Sequence, residues 1–420
     1  MHPNALLDLA TELVRSVLRL DQPADALVST FFRYHRNLGP RERHTLAETA
    51  YAVLRRRLLY QHLAQGGSGA LERRLAILGW QGSDTFLRSA IGPHEQQWLA
   101  KAKAIDVATL PEKLRHNLPD WLAAPLHAQL PDDEFWSLAG SLNEPAPLDL
   151  RVNTLKARRE EVAQALAAAG IEAAPTPHSP WGLRVAGKPA LTKLDAFVQG
   201  HVEVQDEGSQ LLALLTDAKR GEMVVDFCAG AGGKTLALGA AMRNTGRLYA
   251  FDVSGHRLDA LKPRLARSGL SNVHPAQIAH ERDDRVKRLS GKIDRVLVDA
   301  PCSGLGTLRR NPDLKWRQSP QSVQELAAKQ QLILDSAARL LKPGGRLVYA
   351  TCSLLRAENE AVAEAFEAAH PAFQARPVVD LLSAAHVEGA AALDEGGRLR
   401  LWPHRHGSDG FFAAVWQRAD

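Results

Sequence analysis

Apolar residues recur at a helical period through the first third of the chain. Adjacent apolar pairs at Leu6-Leu7, Leu13-Val14 and Val17-Leu18 begin seven and four residues apart, which are two turns and one turn of a helix. Alternating strand patterns are nearly absent there, and Gly39-Pro40 separates two helical segments. This pattern predicts an all-α domain over residues 1–130.

The next segment mixes both periods. Leu148 to Asn153 alternates as a strand does, whereas Arg158 to Ala169 has helical spacing and ends at Gly170. Several prolines and glycines then separate short extended pieces. We therefore predict a small α+β domain over residues 131–215.

From residue 216 onward the chain repeats a strand, a loop and a helix. Met223 to Phe227 is a continuous apolar run, typical of a parallel strand buried on both faces. Further strands are predicted at Arg247–Phe251, Val273–Ile278, Arg295–Val298 and Arg346–Ala350, with helices at Thr235–Met242, Arg257–Ser268 and Gln321–Leu341. Such repeats build a doubly wound parallel sheet, so residues 216–420 are predicted to form a Rossmann-type α/β domain. Arg398–Trp402 and Gly410–Trp416 are predicted to add an antiparallel pair.

The composition narrows the class of protein. With 45% hydrophobic and 24% charged residues, the chain is typical of a globular protein, and no apolar run reaches the roughly 18 residues that cross a bilayer. The N-terminus lacks the basic leader of a signal peptide. Three cysteines, an odd number, favour a reducing compartment, and the sixteen histidines show no metal-binding spacing. We expect a cytoplasmic protein without a membrane or metal partner.

A glycine-rich loop follows the first strand of the third domain. Gly230, Gly232 and Gly233 let backbone amides approach a ligand, and the helix that follows favours negative charge at its start. Asp252 closes the next strand, where it can accept hydrogen bonds from ribose hydroxyls. A dinucleotide-binding dehydrogenase has a similar loop, so this feature alone leaves two functions open.

Two cysteines separate these functions. Cys302, in Asp299-Ala-Pro-Cys302, and Cys352, in Ala-Thr-Cys352-Ser, each follow a predicted strand, so both belong at one edge of the sheet. A thiolate that adds to carbon 6 of cytosine makes carbon 5 nucleophilic enough to be methylated. Asp299 is suited to assist at ring nitrogen 3. The sequence logic leaves either cysteine as the nucleophile.

These motifs resemble those of the RsmB/Sun family of bacterial RNA (cytosine-5) methyltransferases, over almost the whole chain. The matching segments are Asp226–Thr235, Asp299–Thr307, Arg309–Asp313 with Lys315-Trp316, Ala350–Ser353, Leu150–Asn153 and Val204–Gln210. Leu38–Arg43 and Ala52–Arg55 are similar to the NusB-like RNA-binding domain of bacterial members. The resemblance implies a NusB-like domain, a small RRM-like domain and a catalytic domain that uses S-adenosylmethionine.

The resemblance also implies roles for individual residues. Cys352 is the expected nucleophile, Cys302 assists release of the product, and Lys234 touches the target nucleotide. Asp252 would contact the ribose, and Asp299 would lie near both methyl donor and base. The residues expected to cradle the methionine part are Cys228, Ala229, Gly230, Ala231, Gly232, Gly233 and Lys234. Counting back from Asp299 places His280 at the adenine, with Glu281 and Asp283 as open alternatives.

The expected substrate is small-subunit ribosomal RNA, and the expected state is a monomer. A non-catalytic RNA-binding assembly factor and a methyltransferase for transfer RNA or DNA remain alternatives. The residues expected to contact RNA are Arg33, Arg36, Arg41, Arg43, Arg55, Arg56, Arg57, Arg309, Arg310, Lys315 and Arg317. Trp316 and Tyr349 are expected to belong to the core.

Overall fold

The computed structural model describes residues 2–420. Its first helices are α1 Pro3–Val17, α2 Ala24–Tyr34, α3 Pro40–Arg55, α4 Arg57–Leu63, α5 Leu71–Leu78, α6 Asp84–Ala90, α7 Pro93–Lys103, α8 Glu112–His116, α9 Asp120–His127 and α10 Asp132–Leu142. Next come β1 Leu148–Val152, α11 Arg159–Ala168, β2 Ala173–Pro175, β3 Gly182–Val185, α12 Asp195–Val198, β4 Val202–Val204 and α13 Glu207–Thr216. Then follow β5 Met223–Asp226, α14 Gly233–Ala241, β6 Arg247–Asp252, α15 Gly255–Ser268, β7 Val273–Gln277, α16 Asp284–Lys287, β8 Ile293–Asp299, α17 Leu314–Arg317, α18 Pro320–Ala338 and β9 Leu341–Thr351. The chain ends with α19 Glu360–Ala369, β10 Phe373–Ala375, α20 Val378–Ala384, β11 Asp394–Glu395, β12 Arg398–Leu401, α21 Pro403–His406 and β13 Phe411–Arg418.

The chain divides into two compact units. The first comprises the chain up to Pro145 together with Thr307–Pro320, and the second comprises Ala146–Gly306 and Gln321–Asp420. From residue 2 to 145 the first unit contains helices and turns and no strand, as the apolar spacing predicted. Helices α1, α3 and α5 pack against one another and bury Leu7, Leu46 and Leu75 in its core. In residues 2–420, no helix is both long and apolar enough to span a bilayer.

Segment Thr307–Pro320 belongs to the helical unit although it follows the first cysteine motif. Trp316 Nε1 donates to the Leu54 carbonyl at 2.7 Å, and Lys315 Nζ donates to the Arg55 carbonyl at 2.7 Å. Arg55 in turn donates to the Arg309 carbonyl at 3.0 Å. These bonds join the α3–α4 junction to a segment more than 250 residues away in sequence.

Two of the expected RNA contacts are therefore wrong. Lys315 is 1% exposed and Arg55 is 6% exposed, so neither side chain is available to a phosphate. Arg57 stacks its guanidinium over Trp316, 5.3 Å from the ring centre. The sequence favours exposed positions for these residues because lysine and arginine are rarely buried without a partner. Trp316 packs against the helical core, as expected, and Arg33 lies exposed on the surface of this unit.

The second unit begins with a small antiparallel sheet of order β2-β3-β1-β4. Helices α11 and α12 cover it, and Leu150, Val152, Leu166 and Leu183 are buried between the layers. The α+β architecture predicted from the alternating pattern is confirmed. Helix α13 then leads into the large sheet.

The large sheet has the order β11-β12-β13-β9-β8-β5-β6-β7, with β10 paired to β13. Strands β9, β8, β5, β6 and β7 are parallel, and β13 pairs antiparallel with both β9 and β12. The chain order reverses between β5 and β8, which is the point where an open parallel sheet binds its ligands. The Rossmann-type fold is confirmed, although β9 begins at Leu341, where a longer helix was predicted.

Two apolar cores sandwich this sheet because neighbouring strand residues face opposite sides. Val224 packs in the core formed with α13, α14 and α15, and Val225 packs in the core formed with α18 and α19. Tyr349, on β9, is fully buried in the second core, as expected. This two-sided burial fixes the carboxyl ends of the parallel strands at a single edge.

Candidate active site

The carboxyl ends of four neighbouring parallel strands bring the predicted polar residues together. Strand β5 ends at Asp226, β6 at Asp252, β8 at Asp299 and β9 at Thr351. Each strand is followed by a loop, and these loops carry the glycines and cysteines singled out in the sequence. The order of the parallel strands therefore brings these residues together at one edge of the sheet.

The two cysteines lie in contact. The sulfur atoms of Cys302 and Cys352 are 3.3 Å apart, and both residues carry free thiols. Both are partly exposed, so a substrate can reach the pair. The Gly306 amide donates to the Cys352 carbonyl at 2.8 Å, which ties the loop after β8 to the loop after β9.

The environment favours the protonated form of Cys302. A hydrogen bond with Cys352 and burial raise the pKa of Cys302 well above its ordinary value, and the negative charge of Glu358 adds to this. Burial, with Asp226 and Asp299 nearby, likewise raises the pKa of the Cys228 thiol. Cys228 is partly buried and packs against the second core of the large sheet.

An ion pair occupies the middle of the site. Lys234 Nζ donates to Asp299 Oδ2 at 2.7 Å, joining the first turn of α14 to the end of β8. Burial alone lowers the pKa of Lys234, but Asp299 and Cys352 together raise it above its ordinary value. The lysine is thus held as an ammonium ion beside the cysteine loop.

The glycine-rich loop fits the methionine end of S-adenosylmethionine. Gly230 has φ +56° and faces open space, because within residues 2–420 no atom beyond its own and those of its two chain neighbours lies within 4 Å of the point that a Cβ would occupy. Gly232 has φ +83°, and a Cβ there would lie 2.1 Å from Leu261. In the described part of the chain no side chain caps the start of α14, so its amides are available to a carboxylate.

Asp252 and Asp226 complete the fit. Asp252 accepts the Gly230 and Ser254 amides at 2.8 and 2.7 Å, which fixes its carboxylate beside the loop. Asp226 Oδ2 accepts from Thr235, whereas its buried Oδ1 has no partner among residues 2–420 and can receive the amino group of the cofactor. Burial raises the pKa of Asp226 to about 7. The sequence motif contains Asp226 but does not indicate this role for it.

The small sheet supports the same loop from outside. Arg264 Nη1 donates to the Ala231 carbonyl at 2.7 Å. Glu203, at 6% side-chain exposure, pairs with Arg264 at 3.0 Å and also with Arg267. Sequence reasoning missed Arg264 and Glu203 because their partners lie more than 30 residues away.

Three residues after β7 were candidates for the adenine contact. Asp283 accepts the Ala279 amide at 2.9 Å and the Arg285 amide at 2.9 Å, so it caps α16. His280 Nδ1 accepts the Arg282 amide at 3.1 Å. A cleft of about 560 Å³ follows β7, and Asp283 alone of the three lines it.

Comparison with known proteins places this geometry in a family. Residues 213–417 match the family described as 16S rRNA methyltransferase RsmB/F, and residues 118–192 match the ferredoxin-like domain of RsmF/B-like methyltransferases. The "Probable ribosomal RNA small subunit methyltransferase B" of Synechocystis sp. is 38% identical over 73% of this chain and 68% of its own. The chain belongs to the RsmB/F methyltransferase family.

Further matches agree with this membership. The protein of the same name from Bacillus subtilis is 33% identical, covering 80% of this chain and 74% of its own. A solved structure, "Crystal Structure of PH0851", superposes with a TM-score of 0.79 at 28% identity, covering 100% of this chain and 99% of the other. As a member of the RsmB/F family, the chain is a methyltransferase with S-adenosylmethionine as its cofactor.

Proposed function

We propose that this chain methylates carbon 5 of a cytosine in small-subunit ribosomal RNA through a covalent bond between Cys352 and the base. The observation that carries the proposal is the pair of free thiols 3.3 Å apart, at the edge where the carboxyl ends of the parallel strands meet. A single thiol would suffice as a nucleophile, whereas a second one in contact provides a proton carrier.

Cys352 acts first. Its thiolate adds to carbon 6, and the electrons of the carbon 5–carbon 6 double bond move so that carbon 5 becomes nucleophilic. Bound S-adenosylmethionine supplies an electrophilic methyl group for carbon 5. A proton acceptor of the enzyme then removes the proton from carbon 5, the double bond forms again and Cys352 leaves as thiolate. The nucleophile is assigned to Cys352 by family resemblance, and Cys302 remains its rival.

Cys302 assists this release. Its sulfur lies in contact with that of Cys352, and its raised pKa keeps a proton on it in the resting enzyme. When Cys352 adds to carbon 6, the Cys302 thiol can pass its proton towards ring nitrogen 3, and the thiolate left on Cys302 can then accept the proton from carbon 5.

Lys234 and Asp299 serve the ring-nitrogen side of the cytosine. Addition to carbon 6 becomes easier when ring nitrogen 3 accepts a hydrogen bond or a proton. The Lys234–Asp299 pair carries one ammonium proton between its members at 2.7 Å and can direct it to that nitrogen. Asp299 also lies at the strand end that faces the cofactor loop.

The cofactor would be held by the loop and the two strand ends already described. Asp226 and the amides of Gly230 and Gly233 would hold the methionine part, Asp252 would hold the ribose, and the residues after β7 would line the adenine side. Cys228, Ala229, Ala231 and Gly232 would shape the loop by their backbone.

The RNA would be guided by the two N-terminal domains. We propose a NusB-like RNA-binding role for residues 1–130 and an RRM-like positioning role for residues 131–215, with 216–420 as the catalytic domain. The target cytosine must leave its stack, so a single-stranded or loosely paired loop is the expected substrate. We propose that the enzyme works as a monomer without a metal ion.

Bisulfite sequencing of ribosomal RNA tests this function. A strain lacking the gene should lose protection at one small-subunit cytosine, and the wild-type gene should restore it. The Cys352→Ala gene should not restore it. Full protection in the deletion strain would refute the proposed reaction, and protection lost from transfer RNA alone would change the substrate.

A further inference from the structure

Glu358 is a buried carboxylate that the proposed reaction does not use. It ends the short turn Arg356–Glu358 after the second cysteine motif and has no exposed surface. Its two oxygens accept four hydrogen bonds from the described residues. Their donors are the Ser303 amide at 2.8 Å, Ser303 Oγ at 2.5 Å, Ser353 Oγ at 2.5 Å and Gln330 Nε2 at 3.2 Å.

The two serines directly follow the two cysteines. Ser303 follows Cys302 on the loop after β8, and Ser353 follows Cys352 on the loop after β9. The two hydroxyls meet on the same oxygen, Oε2 of Glu358. One carboxylate therefore bridges both cysteine loops, one residue away from each sulfur-bearing side chain.

Neighbouring groups hold the bridge itself in place. The Tyr349 hydroxyl donates to the Glu358 carbonyl, and Gln330 Nε2 also donates to the Pro301 carbonyl at 3.0 Å. Asn359 Nδ2 donates to the Ser353 carbonyl at 2.9 Å, and Thr351 donates to the Asn359 side-chain oxygen. These groups are fully buried or nearly so, which makes a change of partner costly.

We propose that Glu358 is a positioning residue that holds the Cys302 and Cys352 thiols in contact by bridging Ser303 and Ser353. This inference rests on the proposed function, in which one thiol bonds the base and the other exchanges its proton. Proton exchange falls steeply when two groups separate by about 1 Å. A rigid bridge behind both loops keeps that separation fixed while substrate enters and leaves.

The negative charge of Glu358 supports the different roles proposed for Cys302 and Cys352. Within residues 2–420, the Ser303 amide and Gln330 Nε2 donate to its Oε1, and the two serine hydroxyls meet on its Oε2. Its negative charge adds to the causes that raise the pKa of Cys302. The bridge thus favours a thiol at Cys302.

The test compares Glu358→Gln with Glu364→Gln. Glutamine has one acceptor oxygen and one NH2 group, so it can accept the hydrogen bonds on only one side of the group and must present N–H to the two donors on the other side. Glu364 lies on α19 with an exposed side chain and pairs with arginines. Each purified full-length protein is equilibrated in buffers of oxidised and reduced dithiothreitol. Mass spectrometry then measures the fraction of protein that contains the Cys302–Cys352 disulfide. At a known ratio of oxidised to reduced dithiothreitol, this fraction gives the effective concentration of one thiol with respect to the other.

In the Glu358→Gln protein, the effective concentration should fall at least about tenfold, equal to about 30 mV in reduction potential. Its kcat for RNA methylation should fall at least about tenfold, with the KM for RNA and the Kd for S-adenosylmethionine within about twofold of wild type. The Glu364→Gln protein should match wild type in every measurement. A folded Glu358→Gln protein with the wild-type effective concentration overturns the proposal.

A second variant tests the same proposal in case the Glu358→Gln protein does not fold. Ser353→Ala removes the hydroxyl that donates to Glu358 and keeps the carboxylate. This change should lower the effective concentration of the two thiols about threefold or more. An unchanged value in this folded variant overturns the proposal as well. The thiol measurement uses no RNA, so a wild-type protein that shows the predicted thiol contact but methylates no cytosine contradicts the proposed function alone.

Discussion

Lys234 Nζ lies 2.7 Å from Asp299 Oδ2 and joins the cofactor loop to the first cysteine motif. In the proposed reaction this pair lies between the methyl donor and the target base. Burial opposes the charged form of Lys234, but Asp299 and Cys352 outweigh it and raise the pKa of the lysine. Lys234 is therefore held as a charged donor beside the cysteine loop.

Replacing Lys234 by methionine should slow methyl transfer about 100-fold or more, because a proton donor to the ring is lost. Single-turnover methylation of an RNA fragment measures this rate. Lys262→Met, on the exposed side of α15, serves as the matched control and should retain the wild-type rate. Equal rates in the two variants would remove Lys234 from the reaction.

Binding of S-adenosylmethionine should strengthen as the pH rises. The pKa of Asp226 is raised to about 7 by burial, so the carboxyl is mostly protonated at pH 6. In the proposed binding mode an ionised Asp226 holds the cationic amino group, so the Kd should fall about eightfold between pH 6 and pH 7.5. Isothermal titration calorimetry measures both values.

Asp226→Asn is the control for that pH dependence. The variant should bind more weakly at pH 7.5 and lose most of the change between the two pH values. An identical pH dependence in wild type and variant would show that another group titrates.

The buried Lys315 should make the helical unit less stable below pH 7 than above it. Burial, with Arg55 and Arg56 nearby, lowers its pKa from 10.5 to about 7. From pH 7 to 10 the unfolded chain then binds more protons than the folded one, so stability rises with pH across this window. Lys315→Met should raise Tm at pH 7 by about 2 °C or more, and by less at pH 9.5.

Calorimetric scans at the two pH values measure this difference, with the exposed Lys101→Met as control. The same proteins separate the structural role from the RNA contact first expected of Lys315. Weaker RNA binding by Lys315→Met at unchanged Tm would restore the RNA-contact hypothesis.

Arg264 should matter for the cofactor although it does not belong to the glycine-rich loop. Its bond to the Ala231 carbonyl and its pairing with Glu203 hold the loop from the side of the small sheet. Arg264→Met should raise the Kd for S-adenosylmethionine about fivefold, the loss of a charged hydrogen bond. Arg257→Met, on the exposed start of α15, should leave the Kd unchanged.

The sequence predicted the parts of the site that depend on strand order. Cys302 and Cys352 each follow a buried strand, and parallel neighbours necessarily end at one edge, so their contact at 3.3 Å follows from topology. Asp252 beside Gly230 follows for the same reason. The sheet and the helical first domain were predictable because their apolar spacing is regular.

Contacts between distant segments were not predictable from one sequence. Nothing near Glu358 indicates that its carboxylate bridges Ser303, 55 residues earlier. Lys315 and Arg55 were expected on the surface because lysine and arginine are seldom buried, yet a helical unit packs around both. In each case tertiary packing overrides the preference of the residue type.

The central claim is the transient bond between Cys352 and the target cytosine, and a trapped adduct tests it most directly. Each variant is mixed with substrate RNA and S-adenosylmethionine, and protein bound covalently to RNA is resolved on a denaturing gel. Cys302→Ala should accumulate the adduct because release is blocked, whereas Cys352→Ala should form none. An adduct in Cys352→Ala and none in Cys302→Ala would contradict the account by making Cys302 the nucleophile.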